Sequence, residues 1–251
     1  MAIVLQTDSL SIDPYFKGGI LMLSEHVRQV EERILKACER AGRSRDEITL
    51  IAVSKTKPVS DIEEVMSAGI VDFGENKVQE LKDKYEVLPK NLRWHMIGHL
   101  QRNKVKYLPG KTVLIHSVDS LRLAEEISRE YARHNAEADI LLEVNAAGEI
   151  SKFGVSPEET EELARQISKL PNVHIKGLMT IAPYTDDPEE SRVYFRNLRQ
   201  LSVDIAAKNI DNVSMSELSM GMTGDFETAI EEGATLIRVG TAIFGERDYQ
   251  I

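Results

Sequence analysis

From Thr49 onward, short runs of consecutive apolar and β-branched residues alternate with longer stretches in which apolar residues recur every three or four positions. The runs are Thr49 to Val53, Ile70 to Phe73, Leu92 to Ile97, Thr112 to Ile115, Ile140 to Val144, Val173 to Ile181, Ser214 to Leu218 and Thr235 to Val239. Helices are predicted over Val59 to Ala68, Lys77 to Tyr85, Gln101 to Lys106, Ser120 to Asn135, Pro157 to Leu170, Pro188 to Lys208 and Gly224 to Glu232. Several runs, such as Leu50-Ile51-Ala52-Val53 and Ile140-Leu141-Leu142, lack polar alternation, as expected of a parallel sheet covered on both faces. Ahead of them, Ser24 reads as the N-cap of a helix with Val27, Val30, Ile34, Leu35 and Cys38 on one stripe, ending at Gly42. Residues 1–21 show no sustained period and carry Pro14 and Gly18-Gly19, so they read as an irregular leader before one domain spanning residues 22–251.

Eight strand and helix repeats after a capping helix match the rhythm of an α/β protein folded as a single (β/α)8 barrel, with an open doubly wound sheet as the alternative. The chain of 251 residues suffices for one such core, and its single cysteine excludes a disulfide scaffold. No apolar run reaches the roughly 18 residues that span a bilayer, so no membrane partner and a cytoplasmic setting are expected. A formal net charge of −10 argues against nucleic acid as a partner. The segment from Lys77 to Lys111 carries nine Lys or Arg against three acids and reads as a solvated face.

In a barrel the chemistry belongs at the C-terminal ends of strands, where the βα loops begin. Lys55 follows the first strand, placing an amine beside apolar walls that favour its neutral, nucleophilic form. Small-residue loops follow strands seven and eight, Ser219-Met220-Gly221 and Gly240-Thr241, as in the recurrent phosphate sites of barrels. Strand eight pairs with strand one in a closed barrel, so a phosphorylated aldehyde could bridge Lys55 and the two loops. Pyridoxal 5′-phosphate has that shape, and Arg238 is the nearest partner for its pyridine nitrogen.

The stretches Ala52-Val53-Ser54-Lys55-Thr56-Lys57-Pro58, Phe73-Gly74-Glu75-Asn76, Trp94 to Lys104, Ile115-His116-Ser117-Val118-Asp119, Leu218-Ser219-Met220-Gly221-Met222 and Ile237 to Gly245 closely resemble the YggS/PROSC family of pyridoxal phosphate homeostasis proteins. The resemblance runs from about Leu23 to Arg247, and the stretch before Met22 precedes the family's usual start. It implies a barrel like the N-terminal domain of alanine racemase, with the cofactor held as a Schiff base on Lys55. It further implies phosphate contacts from the Ser219-Met220-Gly221 loop, Gly240 and Thr241, with Arg238 near the pyridine nitrogen and Asn76 close to the ring. Family members resemble cofactor carriers with little turnover, so a monomer that passes the cofactor to apo-enzymes is expected, with no catalytic residues.

An arginine at the pyridine nitrogen leaves that nitrogen unprotonated and weakens the ring as an electron sink, which favours a carrier over an enzyme. Three other readings compete: a racemase using the same cofactor, a cofactor-free lysine aldolase acting on a phosphorylated sugar, and a partner-binding module using the basic segment. His95 and His99 have helical metal spacing but fall on a strand interrupted by Gly98, so no metal is expected. Asn145, Lys152 and Gly154 read as ordering the loop after strand five.

Overall fold

The computed structural model describes residues 16–17, 20–149 and 153–246. Eight parallel strands form a closed barrel: β1 (Thr49–Val53), β2 (Asp72–Glu75), β3 (Arg93–Met96), β4 (Leu114–Val118), β5 (Ala138–Glu143), β6 (Val173–Met179), β7 (Val213–Ser219) and β8 (Leu236–Val239). The fold is the (β/α)8 barrel, and the doubly wound alternative is excluded by β8 pairing in register with β1, Leu236 to Thr49 through Val239 to Ala52.

Helices α1 (Leu23–Ala41), α2 (Val59–Ser67), α3 (Val78–Val87), α4 (Leu121–Arg133), α5 (Pro157–Ile167), α6 (Arg192–Ala206), α7 (Phe226–Glu231) and α8 (Thr241–Phe244) surround the sheet. The expected helix at Gln101 to Lys106 is a 3-10 helix, Arg102–Tyr107, and the long helix expected from Pro188 divides into a 3-10 turn, Pro188–Ser191, and α6. Asn135 and Asn209 adopt the left-handed conformation just after α4 and α6, which ends those helices short of the apolar pattern.

Two features of the first helix differ from expectation. Met22 is its N-cap, Ser24 lies inside the first turn, and the Leu23 N–H donates to Glu64 Oε1 at 2.6 Å. Nor does α1 cap an end of the barrel. It packs beside α2, α7 and α8, filling the place in the outer ring that four-residue α8 leaves open. Arg33 and Arg40 pair with Glu227 and Glu231 of α7, and His26 Nδ1 donates to the Ile243 carbonyl at 2.8 Å. In the leader, Phe16–Lys17 and Ile20–Leu21 form a short antiparallel ladder; residues 1–15 and 18–19 lie outside the described residues.

The main apolar core lies between sheet and helices, and Ile51, Leu114, Leu141, Met179 and Leu236 form a second cluster. The second cluster fills the barrel interior, since it unites one residue from each of five strands and is separate from the helix-facing core. Alternation therefore turns Val53, His116, Glu143 and Arg238, each two positions further on, inward as well. On β6, Gly177 sits against Glu217 of β7, where an added Cβ would lie 1.8 Å from the Glu217 carbonyl oxygen. Gly177→Ala is therefore expected to cost about 3 kcal/mol or more, because β6 and β7 would have to part, and chemical denaturation of the variant checks it.

Candidate functional site

The first strand ends in a turn that is fixed from below. Ser54 is fully buried, its carbonyl accepts the Lys57 N–H at 3.0 Å, and Thr56 takes a left-handed φ of 65°. That conformation costs a non-glycine residue about 1 kcal/mol, so the turn needs support. Helix α3 supplies it: Glu80 Oε2 accepts the Thr56 N–H at 2.7 Å, and Lys84 Nζ donates to the Ser54 carbonyl at 2.7 Å. Lys84 also donates to Glu75 Oε1 at 2.7 Å, and the Ser54 hydroxyl donates to the same oxygen at 2.6 Å. Burial pushes the Glu75 carboxyl above its usual range, opposed by Lys84 and Ser54. Lys84, counted in the basic segment expected to be a solvated face, is thus an interior residue, buried because Glu75 and Ser54 satisfy it. Lys57 Nζ reaches across the seam to the Phe244 carbonyl at 2.8 Å.

Lys55 emerges from this turn into a cavity of about 490 Å³ at the C-terminal end of the barrel. Asn76, Arg238, Gly240 and Thr241 line the same cavity, together with Val53, Ile97 and the segments 181–185 and 222–225. Five of the eight residues expected at the site therefore meet around one space. The other three lie beside it. The Ser219 hydroxyl is buried and bonded to His116 Nδ1 at 2.9 Å and to Arg238 Nη1. Met220 packs in the main core. Gly221, at φ 89°, accepts the Arg238 N–H at 3.0 Å, and an added Cβ there would meet Ala229 Cβ at 2.5 Å. The loops after β7 and β8 are joined where Thr223 Oγ1 accepts the Ala242 N–H at 3.3 Å.

Arg238 is buried, with Nη2 donating to the Thr180 carbonyl at 2.9 Å. Burial lowers its pKa to about 10, opposed by Asp225 and Glu143, which leaves it a charged donor at neutral pH. Asn76 Oδ1 has no hydrogen-bond partner among the described residues, an acceptor left for a ligand. A cavity of this size, walled mostly by apolar atoms and presenting a lysine, a buried cation and two glycine-bearing loops, suits a small anionic ligand that carries a carbonyl.

One buried acid escaped the sequence reading. Glu143, two positions after the inward Leu141, is 7% exposed with Oε2 unpartnered among the described residues. Burial, aided by Asp119, raises its pKa to about 7. His95 lies inside the barrel, bonded to Asp72 and His116, whereas His99 is half exposed and stacks on Phe153 with ring centroids 3.9 Å apart, so the pair is split. Among the described residues no group of three or more His, Cys, Asp and Glu is placed to hold a metal ion. In the loop after β5, the Asn145 side chain donates to the Glu149 carbonyl at 2.8 Å, and Lys152 lies outside the described residues.

A lysine and two anion-suited loops at one end of a closed barrel define the class: a (β/α)8 barrel of the type called alanine racemase, N-terminal domain, whose family matches residues 26–248. The chain belongs, within that class, to the family of pyridoxal phosphate homeostasis proteins. It is 51% identical to the "Pyridoxal phosphate homeostasis protein" of Aquifex aeolicus over 226 residues, covering 90% of this chain and 98% of that one. The protein of that name in Pseudomonas aeruginosa is 40% identical over 228 residues, covering 90% and 96%. Among solved structures, PipY of Synechococcus elongatus with PLP bound matches at a TM-score of 0.77 and 34% identity, covering 89% of this chain and all (100%) of that one. An alanine racemase from Clostridium difficile matches at a TM-score of 0.67 and 13% identity, covering 88% of this chain and 57% of that one, a likeness of fold alone.

Two outcomes follow. Lys84→Met leaves Glu75 buried without its cation and is expected to cost about 3–5 kcal/mol in urea denaturation, most of which the double variant with Glu75→Leu recovers. Glu143 holds a proton in the folded chain that the unfolded chain releases near 4.5, so stability falls as pH rises from about 4.5 to about 7 and is level above. Glu143→Gln is accordingly expected to gain up to about 3 kcal/mol at pH 8 and nothing at pH 4, read from melting at both.

Proposed function

We propose that this chain binds pyridoxal 5′-phosphate through a Schiff base on Lys55 and serves vitamin B6 homeostasis in the cytoplasm, with little or no turnover. The observation that carries the reading is the convergence of Lys55, Arg238, Gly240 and Thr241 on one cavity. Their chemistry fits each part of the molecule: an amine for the aldehyde, backbone-rich loops for the phosphate and a charged donor for the ring nitrogen. The homologues named for pyridoxal phosphate homeostasis and the PLP-bound PipY structure support the same ligand.

Bound there, the cofactor supplies an aldehyde and an aromatic ring; the chain's own side chains decide what is done with them. The Ser54, Glu75 and Lys84 cluster fixes the turn from which Lys55 Nζ reaches the aldehyde position. Asn76, whose side-chain oxygen has no partner among the described residues, would help hold the group in the cavity. Arg238, charged at neutral pH and committed to Thr180 and Ser219, would hold the ring nitrogen as a donor and keep it unprotonated. An unprotonated ring is a poor sink for carbanions, which suits a carrier. As such a carrier the chain acts as a monomer and gives the cofactor up to apo-enzymes. No helix among the described residues is long and apolar enough to cross a membrane.

Saturating the purified chain with pyridoxal phosphate is expected to give a visible absorbance band that Lys55→Ala abolishes. Amino acids incubated with the loaded protein in deuterium oxide are expected to keep their α-protons. A colourless saturated protein would defeat the binding reading, and steady α-proton exchange would replace the carrier with a racemase-type enzyme.

A further inference from the structure

Five polar side chains from five strands are linked end to end inside the barrel. Asp72 Oδ1, at the start of β2, lies 2.8 Å from His95 Nε2 on β3. His95 Nδ1 lies 3.0 Å from His116 Nε2 on β4, and His116 Nδ1 lies 2.9 Å from the Ser219 hydroxyl at the end of β7. That hydroxyl accepts from Arg238 Nη1 on β8. All five residues are buried, and at its outer end Asp72 also meets Arg93 Nε at 3.2 Å. The proposed cofactor contacts use none of His95, His116 and Asp72.

The hydrogen positions in this chain follow from its two ends. An arginine can only donate, so Ser219 Oγ accepts from Arg238 and has one hydrogen left to give. Its other side-chain contact is His116 Nδ1, and the hydroxyl hydrogen is satisfied there only if that nitrogen accepts, which leaves the ring proton on Nε2. His95 Nδ1 accepts that proton's hydrogen bond, and His95 Nε2 donates to the Asp72 carboxylate. Every donor then points away from the site, from Arg238 to Asp72, with both rings neutral. Burial, together with His95 and Arg238, holds the His116 imidazole well below its usual pKa, in keeping with that arrangement.

We propose that Asp72, His95, His116 and Ser219 form a polarised hydrogen-bond chain that positions the Arg238 guanidinium, making the Ser219 side chain a support for the ring-side arginine instead of a phosphate contact. The four are positioning residues, and the inference rests on the reading of Arg238 as the partner of the cofactor's ring nitrogen. The chain anchors one side of the guanidinium while Thr180 anchors another, which leaves the fork little freedom to turn away. Buried networks are stabilising when each member is satisfied, and this polarity satisfies each.

Two measurements test it. Nitrogen-15 NMR of the histidine side chains in the cofactor-free full-length protein is expected to show His95 and His116 as neutral Nε2–H tautomers from pH 6 to 8. A His116 proton on Nδ1, or a doubly protonated His95, would overturn the chain whatever ligand the site takes. The second uses His116→Phe, which keeps a ring in place but can accept nothing from Ser219. Affinity is expected to fall about tenfold or more for pyridoxal 5′-phosphate and by a similar factor for pyridoxal, which lacks the phosphate. The pH midpoint of the visible band is expected to fall too, since a ring nitrogen free to take a proton makes the lysine-bound nitrogen less basic. A loss confined to the phosphorylated ligand would return Ser219 to the anion site, and a folded variant with unchanged affinities and midpoint would refute the positioning role. If His116→Phe does not fold, the tautomers decide. Failure of the unaltered protein to bind either aldehyde would instead defeat the cofactor reading, while the tautomer result still judges the chain.

Discussion

Hydrogen bonding between β8 and β1, the pairing that closes the barrel, is the constraint from which the site follows. Its register sets Arg238 beside Ile51 and Val239 beside Ala52. Strand alternation turns Ile51 and Arg238 to the same interior, and Lys55 leaves the sheet just above them. Residues 183 positions apart in the chain are thereby brought to one cavity, with the loops after β7 and β8 as its other wall. An open sheet would carry the same segments as unconnected edges.

Closure also creates the polar interior. An aliphatic layer of Ile51, Leu114, Leu141, Met179 and Leu236 supplies apolar packing, while His95, His116, Ser219 and Arg238 occupy inward positions that an all-aliphatic barrel would fill with Val, Ile or Leu. Buried polar groups cost stability unless they are satisfied, so such an interior is retained only where its members bond to one another. The clamp of Lys84, Glu75 and Ser54 outside β1 obeys the same rule, and its effect is to hold a turn that includes a left-handed threonine. Glu75, Asn76 and Glu143 each keep one buried oxygen without a partner among the described residues, and at Glu143 the raised pKa is the physical response.

The fold was legible because parallel strands covered on both faces announce themselves as apolar runs. The predicted first strand, Thr49 to Val53, coincides with β1. Where the runs misled, buried polar residues were the cause: β2 extends to Gly74 and Glu75, and β4 to His116, Ser117 and Val118, beyond the points where hydrophobicity stops. Lys55, Asn76, Arg238, Gly240 and Thr241 were legible as strand-end residues, since position in a barrel assigns them to one face. The bonding of Ser219 to His116, 103 positions away, was not, because nothing local marks two residues that meet only once the sheet closes. Lys84 was hidden for another reason: on the sequence it is one cation in a basic run, and only Glu75 beneath it makes it an interior group.

The account stands on a covalent attachment at Lys55. Reduction of the pyridoxal phosphate complex with borohydride, followed by proteolysis and peptide mass mapping, tests it most directly. The account predicts a single pyridoxyl tag on Lys55; a tag on another lysine, or none, would contradict it.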